Sequence, residues 1–356
     1  MIEKRFKCPG CNKTVIFTGE LGENRVESCP SCGVKANIRF SKGVVRSDIK
    51  AIEVINLRKV YGDVVAVDGI SFVVKKGEIF AFLGPNGAGK TTTVEIIESI
   101  RTPTSGVVKI LGRDVQKEFN EVKELIGVLP QEYHSFERLT VRETLHYFSL
   151  LYKKRVDVDE ILQMMDLKGY ADKLYRNLSG GLKQRVGVAL SLVNDPEIIF
   201  LDEPTTGLDP RARREVWGVI AGLKKRGKTI FLTTHYMEEA EYLADHIAII
   251  HKGRIIAEGS LEELIGRYGG DVTMRIMGCK DSALAEEVLS DRGFRVIKGA
   301  NGDLSVKIPY KEMVLEVLSD FRLACIEYDN IDIRRGNLEE VFLNLTGSRL
   351  SEEGVE

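Results

Sequence analysis

Unbroken apolar runs alternate, through the middle of this chain, with stretches whose apolar positions recur every three or four residues. Ile79-Phe80-Ala81-Phe82-Leu83 is apolar throughout and predicts a strand buried on both faces. Ile198-Ile199-Phe200-Leu201 is a second such run, ending in Asp202-Glu203, and Ile230-Phe231-Leu232 is a third, followed by Thr-Thr-His. Residues Thr91–Ile100 read as a helix. From about 134 to 177 the spacing of Leu145, Phe148, Leu151 and Tyr152, then of Ile161, Leu162, Met165 and Leu167, is helical, and these positions belong to a core. After Gly269-Gly270 the period changes to two, with Val272, Met274 and Ile276 alternating with polar residues. Ala283–Leu289 and Met313–Phe321 then read as helices. Phe294–Ile297 and Leu304–Ile308 read as strands flanking the turn signal Asn301-Gly302, and Ile326–Ile333 as a last strand. That order, β-α-β-β-α-β, suggests a small ferredoxin-like α+β domain over 268–346, closed by a helix from about Leu338 to Leu345.

Composition is that of a globular protein, 43% hydrophobic and 29% charged. A net charge of −2 predicts no strong nucleic-acid binding, although residues 1–50 alone carry ten Lys/Arg against five Asp/Glu. No apolar stretch is long enough to span a membrane, and the start lacks the apolar core of a signal peptide. The chain is therefore expected to stay in the cytoplasm, with any membrane role exercised through a partner. Cys8-x-x-Cys11 and Cys29-x-x-Cys32 have the spacing of a structural zinc ribbon over residues 1–45, with disulfides or free thiols as the alternatives. So small a segment gains folding energy from a metal rather than from a core. Cys279 and Cys325 are expected in the core, Trp217 to serve packing, and 41–50 to be a linker.

The first apolar run leads into Gly84-Pro85-Asn86-Gly87-Ala88-Gly89-Lys90-Thr91-Thr92, a complete phosphate-binding loop between a strand and a helix. Its glycines let backbone N–H groups point inward at phosphate oxygens, and the helix start adds positive potential. Lys90 is expected to reach the β- and γ-phosphates of a nucleoside triphosphate, and Thr91 to ligate Mg²⁺.

Beyond this loop, Leu178-Ser179-Gly180-Gly181 and the strand end Asp202-Glu203-Pro204 follow in an order that resembles the ATPase subunit of ABC transporters over about 51–266. The resemblance implies an α/β P-loop domain in which 134–177 forms a helical subdomain. It also implies the roles of further residues. Tyr61 would stack on adenine, Gln131 would join the Mg²⁺ shell and sense the membrane partner, and Asp202 would hold Mg²⁺. Glu203 would act as the base on the attacking water, His235 would contact the γ-phosphate, and Asp209 would link two active sites. Ser179, Gly180 and Gly181 would face the γ-phosphate held by a second subunit. Leu182 departs from the commonest residue after this motif. The region after 266 resembles the accessory domain of drug- and polysaccharide-exporter ATPases, down to Leu338–Leu343. The implied function is ATP hydrolysis by a homodimer that drives a separate permease from the inner face of the membrane. The alternative is a soluble ATPase of the same family acting on nucleic acid or ribosomes, for which the basic ribbon argues. Because every nucleotide motif precedes Gly266, a chain ended there is expected to keep ATP binding.

Overall fold

The computed structural model describes residues 2–7, 14–19, 24–30, 32–39, 49–131, 133–270, 272–299, 302–308, 313–334, 336–347, 350–351 and 354–355. The chain divides into two compact units, Met1–Asp48 and Ile49–Glu356. In the first, β1 (Ile2–Lys7) pairs antiparallel with β2 (Thr14–Gly19), and β3 (Asn24–Ser28) with β4 (Lys35–Arg39). The connection from β3 to β4 holds Cys29 and Cys32. Cys29 is buried, its N–H donates to Val34 O, and Gly33 takes φ 74° to complete the turn. Cys8 and Cys11 lie outside the described residues, as do 41–48 of the expected linker. Among the described residues no group of three or more His, Cys, Asp or Glu side chains is placed to hold a metal ion.

The second unit begins with two long strands, β5 (Lys50–Tyr61) and β6 (Val64–Lys75), before the buried strand β7 (Ile79–Leu83). After β7 come α1 (Lys90–Ile97), β8 (Ser105–Ile110), β9 (Arg113–Asp114), α2 (Phe119–Val122) and β10 (Ile126–Leu129). Strands β6, β5, β8 and β9 form an antiparallel sheet in that order. The alternating pattern of βαβ units did not announce this sheet. Helix α1 stops at Ile97, short of the expected Ile100. Ser99 takes the left-handed conformation (φ 65°) and the Ile100 N–H turns back to Glu95 O, closing the helix.

Next come α3 (Val141–Ser149) and α4 (Val158–Met164), the helical stretch expected within 134–177. Thr140 and Asp157 cap these helices, the first in a reciprocal box with Glu143. Then follow α5 (Gly180–Leu190), β11 (Ile198–Asp202), α6 (Pro210–Lys225), β12 (Thr229–Thr234), α7 (Met237–Leu243), β13 (His246–His251), β14 (Arg254–Gly259) and α8 (Leu261–Tyr268). The central sheet has the order β10-β11-β12-β7-β13-β14, parallel but for its last strand. Both faces are covered, which is why β7 is apolar at every position and β11, β12 and β13 carry unbroken apolar runs. Phe80, Phe82, Phe200 and Phe231 point to the side of the antiparallel sheet, where Phe72 stacks on Phe80 at 5.2 Å. Ile79, Ile199, Leu201 and Leu232 point to the opposite side, toward α5, α6 and Trp217.

The chain continues with β15 (Val272–Met277), α9 (Ser282–Asp291), β16 (Val296–Lys298), β17 (Leu304–Ile308), α10 (Met313–Leu323), β18 (Asn330–Arg334) and α11 (Leu338–Thr346). The four strands form an antiparallel sheet in the order β16-β17-β15-β18 over a core of their own. The connection from β16 to β17 runs from Gly299 to Asp303, longer than the two-residue turn that Asn-Gly favours; Gly302 has φ 79° and Asn301 lies outside the described residues. Strand β18 starts at Asn330 rather than Ile326, because the Ile326 N–H is drawn back to Phe321 O at the end of α10. Cys279 is buried as expected. Cys325 is not: it sits exposed in that same turn, at φ 52°.

Helix α11 returns to the ATP-motif half of the unit. Leu338, Val341 and Phe342 are fully buried among Leu83, Ile247, Ile249 and Leu264. Glu241 Oε1 accepts the Leu338 N–H at 2.7 Å, and Asn344 Nδ2 donates to Tyr268 O at 2.8 Å. The nucleotide motifs end before Gly266, but the core behind them does not.

Candidate active site

Strand β7 feeds the loop 84–89, and two of its glycines are required by close packing. A Cβ on Gly84 would lie 2.4 Å from Ile250 O, and one on Gly89 would lie 2.5 Å from Ala66 O, with φ already at 105°. Gly89 precedes Lys90, the first residue of α1, so the loop delivers the lysine at a helix start. The Lys90 ammonium is buried. It donates to Gly84 O at 2.8 Å and Pro85 O at 3.2 Å, and stands 3.2 Å from Glu203 Oε1. Burial lowers its pKa, and the Glu203 charge opposes that shift.

Glu203 follows the last residue of β11 and takes φ 49°, a left-handed conformation uncommon for a residue with a side chain. Several groups hold it there. Its N–H donates to Thr233 Oγ1 at 3.0 Å. Its Oε2 accepts from Gln131 Nε2 at 3.1 Å and from Thr206 Oγ1 at 3.2 Å. His235 Nδ1 is 3.2 Å from the same oxygen, though off the line of a hydrogen bond. Burial raises the pKa of this carboxyl, but His235 and the Lys90 charge outweigh burial and bring it to about 2. Asp202, beside it, accepts a short hydrogen bond from the Thr233 hydroxyl, and burial pushes its pKa up. Glu98, at the end of α1, is also buried. Burial first, then the charges of Asp202 and Glu95, push its carboxyl up to about 8.

Lys90, Gln131, Asp202, Glu203 and His235, far apart in sequence, thus meet at the ends of β7, β10, β11 and β12. Tyr61 is partly exposed at the end of β5, with Lys59 Nζ 4.8 Å from its ring centroid. The segment 179–181 and Asp209 stand outside the cluster around Glu203. Ser179 caps α5, accepting from Leu182 N, and the signature glycines pack on the start of α6: a Cβ on Gly181 would lie 2.9 Å from that of Ala212. Asp209 caps α6, accepting from Arg211 N and Ala212 N at 3.0 Å each. Sequence reasoning missed Thr233, Thr206 and Glu239. The pair Thr233-Thr234 before His235 was a signal for the first, since a hydroxyl at a buried strand end needs a partner.

The ABC transporter family profile matches residues 67–206, from within β6 to the loop after Glu203. Daunorubicin resistance ATP-binding protein DrrA3 of Streptomyces coeruleorubidus is 40% identical over 83% of this chain and 96% of its own length. The chain belongs to the ATP-binding subunits of ABC transporters. Nod factor export ATP-binding protein I of Burkholderia orbicola is 38% identical over 85% of this chain and 99% of its own length. Among solved structures, the dimeric bacterial ABC transporter cassette MJ0796 is 28% identical, with a TM-score of 0.53 over 59% of this chain and 98% of the cassette. As an ABC ATPase the protein hydrolyses ATP to power transport. ATP and Mg²⁺ are the substrate and metal expected of the family, and the donors suit a hard cation: the Asp202 carboxylate at the strand end and the Thr91 hydroxyl in the first turn of α1. Among the described residues no helix is long and apolar enough to cross a membrane.

Proposed function

We propose that this ABC ATPase is the motor of an exporter, acting as a homodimer on a separate permease at the inner face of the membrane. The observation that carries the reading is Glu203, held among Lys90, Gln131 and His235 at the end of β11. In our reading Lys90 binds the β- and γ-phosphates of ATP within the amides of Gly84–Thr92, and Tyr61 supports the adenine. Thr91, Asp202 and Gln131 would hold Mg²⁺, which supplies charge neutralisation on the phosphates. Glu203 orients the attacking water and takes its proton, and His235 contacts the γ-phosphate. Without nucleotide the Glu203 carboxylate, at about 2, is a weak base. When Lys90 and His235 turn to phosphate charge, it loses the partners that depress it and gains proton affinity. The Ser179–Gly181 turn would complete the site of the second subunit, with Asp209 between the two sites. The dimeric cassette among its structural relatives supports this arrangement.

Export is supported by the resistance and export proteins that the chain resembles. Docking of a permease on the helical subdomain is supported by exposed apolar residues on and beside α3: Phe136, Tyr147, Leu150 and Leu151. A ferredoxin-like accessory domain over 268–346 is supported by the strand order of its sheet. A zinc ribbon over 1–45, through Cys8, Cys11, Cys29 and Cys32, rests on spacing and on the turn at Cys29. The test of the central assignment is Glu203→Gln, which should bind ATP, lose nearly all turnover and elute as a dimer in ATP by size exclusion. Hydrolysis at the wild-type rate by this variant would remove Glu203 as the base.

A further inference from the structure

Outside the cluster around Glu203, the α6–α7 side of the site holds a carboxylate that the chemistry described so far does not use. Glu239, on α7, is fully buried. Its Oε1 accepts from Thr205 Oγ1 at 2.7 Å and from Trp217 Nε1 at 2.8 Å. Thr205 is itself fully buried and sits between Glu203 and Asp209. Trp217 lies on α6, the helix that Asp209 caps, and its indole stacks on Tyr242 of α7 at 5.1 Å. Glu239 lies on the first turns of the helix that follows His235, whose ring meets Tyr236 at 4.1 Å, and the Arg213 guanidinium of α6 lies over the Tyr236 ring at 4.1 Å. One carboxylate oxygen therefore joins the loop that carries Glu203 and Asp209 to α7, the helix that follows His235.

Such a group is a poor choice for stability alone. Burial raises its pKa, and Glu239 Oε2 and Arg213 Nε, both buried, lack a hydrogen bond of normal geometry. A buried carboxylate with an unbonded oxygen costs more than an apolar residue of its size. What the carboxylate supplies is position. Glu203 sits at φ 49°, and strain of that kind persists only where the surroundings over-determine it. Thr233 holds Glu203 from the strand side and Thr206 from its own loop. Thr205, through Glu239, is the tie from that loop to the helix after His235.

We propose that Glu239 is a positioning residue for ATP hydrolysis: through Thr205 it fixes Glu203 relative to His235, so that the base and the γ-phosphate contact move as one body. The proposal rests on the ATPase activity of the family and on Glu203 as base. Chemistry of this kind is sensitive to displacements of about 1 Å, which cost on the order of a hundredfold in rate.

The test is steady-state ATPase kinetics of the full chain for Glu239→Ala, Glu239→Gln, Thr205→Val and Trp217→Phe, with thermal unfolding by circular dichroism as the check on folding. Glu239→Ala is expected to lose about ten- to a hundredfold in kcat with KM within about threefold. Glu239→Gln keeps an acceptor for both donors and should recover most of kcat. Thr205→Val should match Glu239→Ala in kcat, and the double variant should lose no more than either single one. Trp217→Phe, which removes the α6 donor and trims a buried ring but leaves the Thr205 tie, should lower the unfolding temperature and leave kcat within about threefold. The proposal is overturned if folded Glu239→Ala or Thr205→Val turns over at the wild-type kcat, or if Gln fails to rescue. Should Glu239→Ala not fold, the Thr205→Val and Glu239→Gln results decide. An inactive wild-type chain would instead count against the ATPase reading itself.

Discussion

Phe342→Ala tests whether the nucleotide motifs depend on the far end of the chain. Phe342 is fully buried in α11, against Leu83 of β7, Ile247 and Ile249 of β13, and Leu264 of α8. The His251 ring meets it edge-on at 5.9 Å. Truncating a buried phenylalanine costs about 3–5 kcal/mol, the transfer of its ring plus the cavity left behind. Little nearby can relax into that cavity, because Leu338 and Val341 are packed in the same row. For a unit of this size the loss should lower the unfolding temperature by roughly 5–10 °C. Trp217 is the chain's only tryptophan and lies in the core on α6, so its fluorescence follows the ATP-motif half directly. Asn344→Ala is the control: it removes one exposed hydrogen bond to Tyr268 O and should cost no more than about 1 kcal/mol. The same reasoning holds that ending the chain near Gly266 uncovers Leu83, the last residue before the phosphate loop, so nucleotide binding weakens along with stability. If Phe342→Ala melts within a degree of wild type by Trp217 fluorescence, α11 is not part of this core, and the expectation drawn from motif positions alone is restored.

Three further outcomes follow from the charges, the cysteines and the exposed apolar surface. Glu98 has a folded-state pKa of about 8 against an ordinary 4.5, so the folded protein holds the extra proton. Stability of the nucleotide-free and Mg²⁺-free chain should then fall as pH rises from about 4.5 to 8, and Glu98→Gln should flatten that slope and raise stability at pH 8. An unchanged slope in urea titrations at several pH values would refute the shift. Elemental analysis should find about one Zn²⁺ per chain, lost in Cys29→Ser while ATP binding persists; protected disulfides without zinc would sink the ribbon. Leu151→Glu should keep the ATPase activity of the isolated chain but lose capture of a multi-span protein from detergent extracts, and recovery of ribosomes or DNA by the wild type would favour the rival partner class.

Local chemistry made the reactive end of the site legible. Gly84–Thr91 must curl for phosphate wherever it occurs, and an apolar run that stops at Asp202-Glu203 has to place carboxylates at a strand end. The same logic gave the sheet strands around Phe80, Phe200 and Phe231, since only a doubly covered strand is apolar at every position. It failed where the deciding term lies between distant segments. Nothing near Val54 or Val73 distinguishes an antiparallel partner from a parallel one, so the β6-β5-β8-β9 sheet went unread. Cys325 looked like core and lies exposed, because the end of α10 is set by the Ile326 N–H returning to Phe321 O.

Glu239 is the clearest case. In sequence it is one acid among several in Met237-Glu238-Glu239-Ala240-Glu241, which reads as a solvated helix start. Only the packing of α7 on α6 turns it inward while Glu238 stays accessible, and only then do the Thr205 hydroxyl and the Trp217 N–H converge on it. The same packing gives Trp217 its polar contact; sequence assigned it to packing alone. The residues that touch phosphate are constrained by the shape of phosphate, which is the same in every chain, and so they form a motif. The residues that hold those groups in register are constrained by one another, through distances that exist only after folding. A group of the second kind is found by asking where each buried polar atom sends its hydrogen bond. At Glu239 that question leads from a helix beside His235 to the loop that strains Glu203.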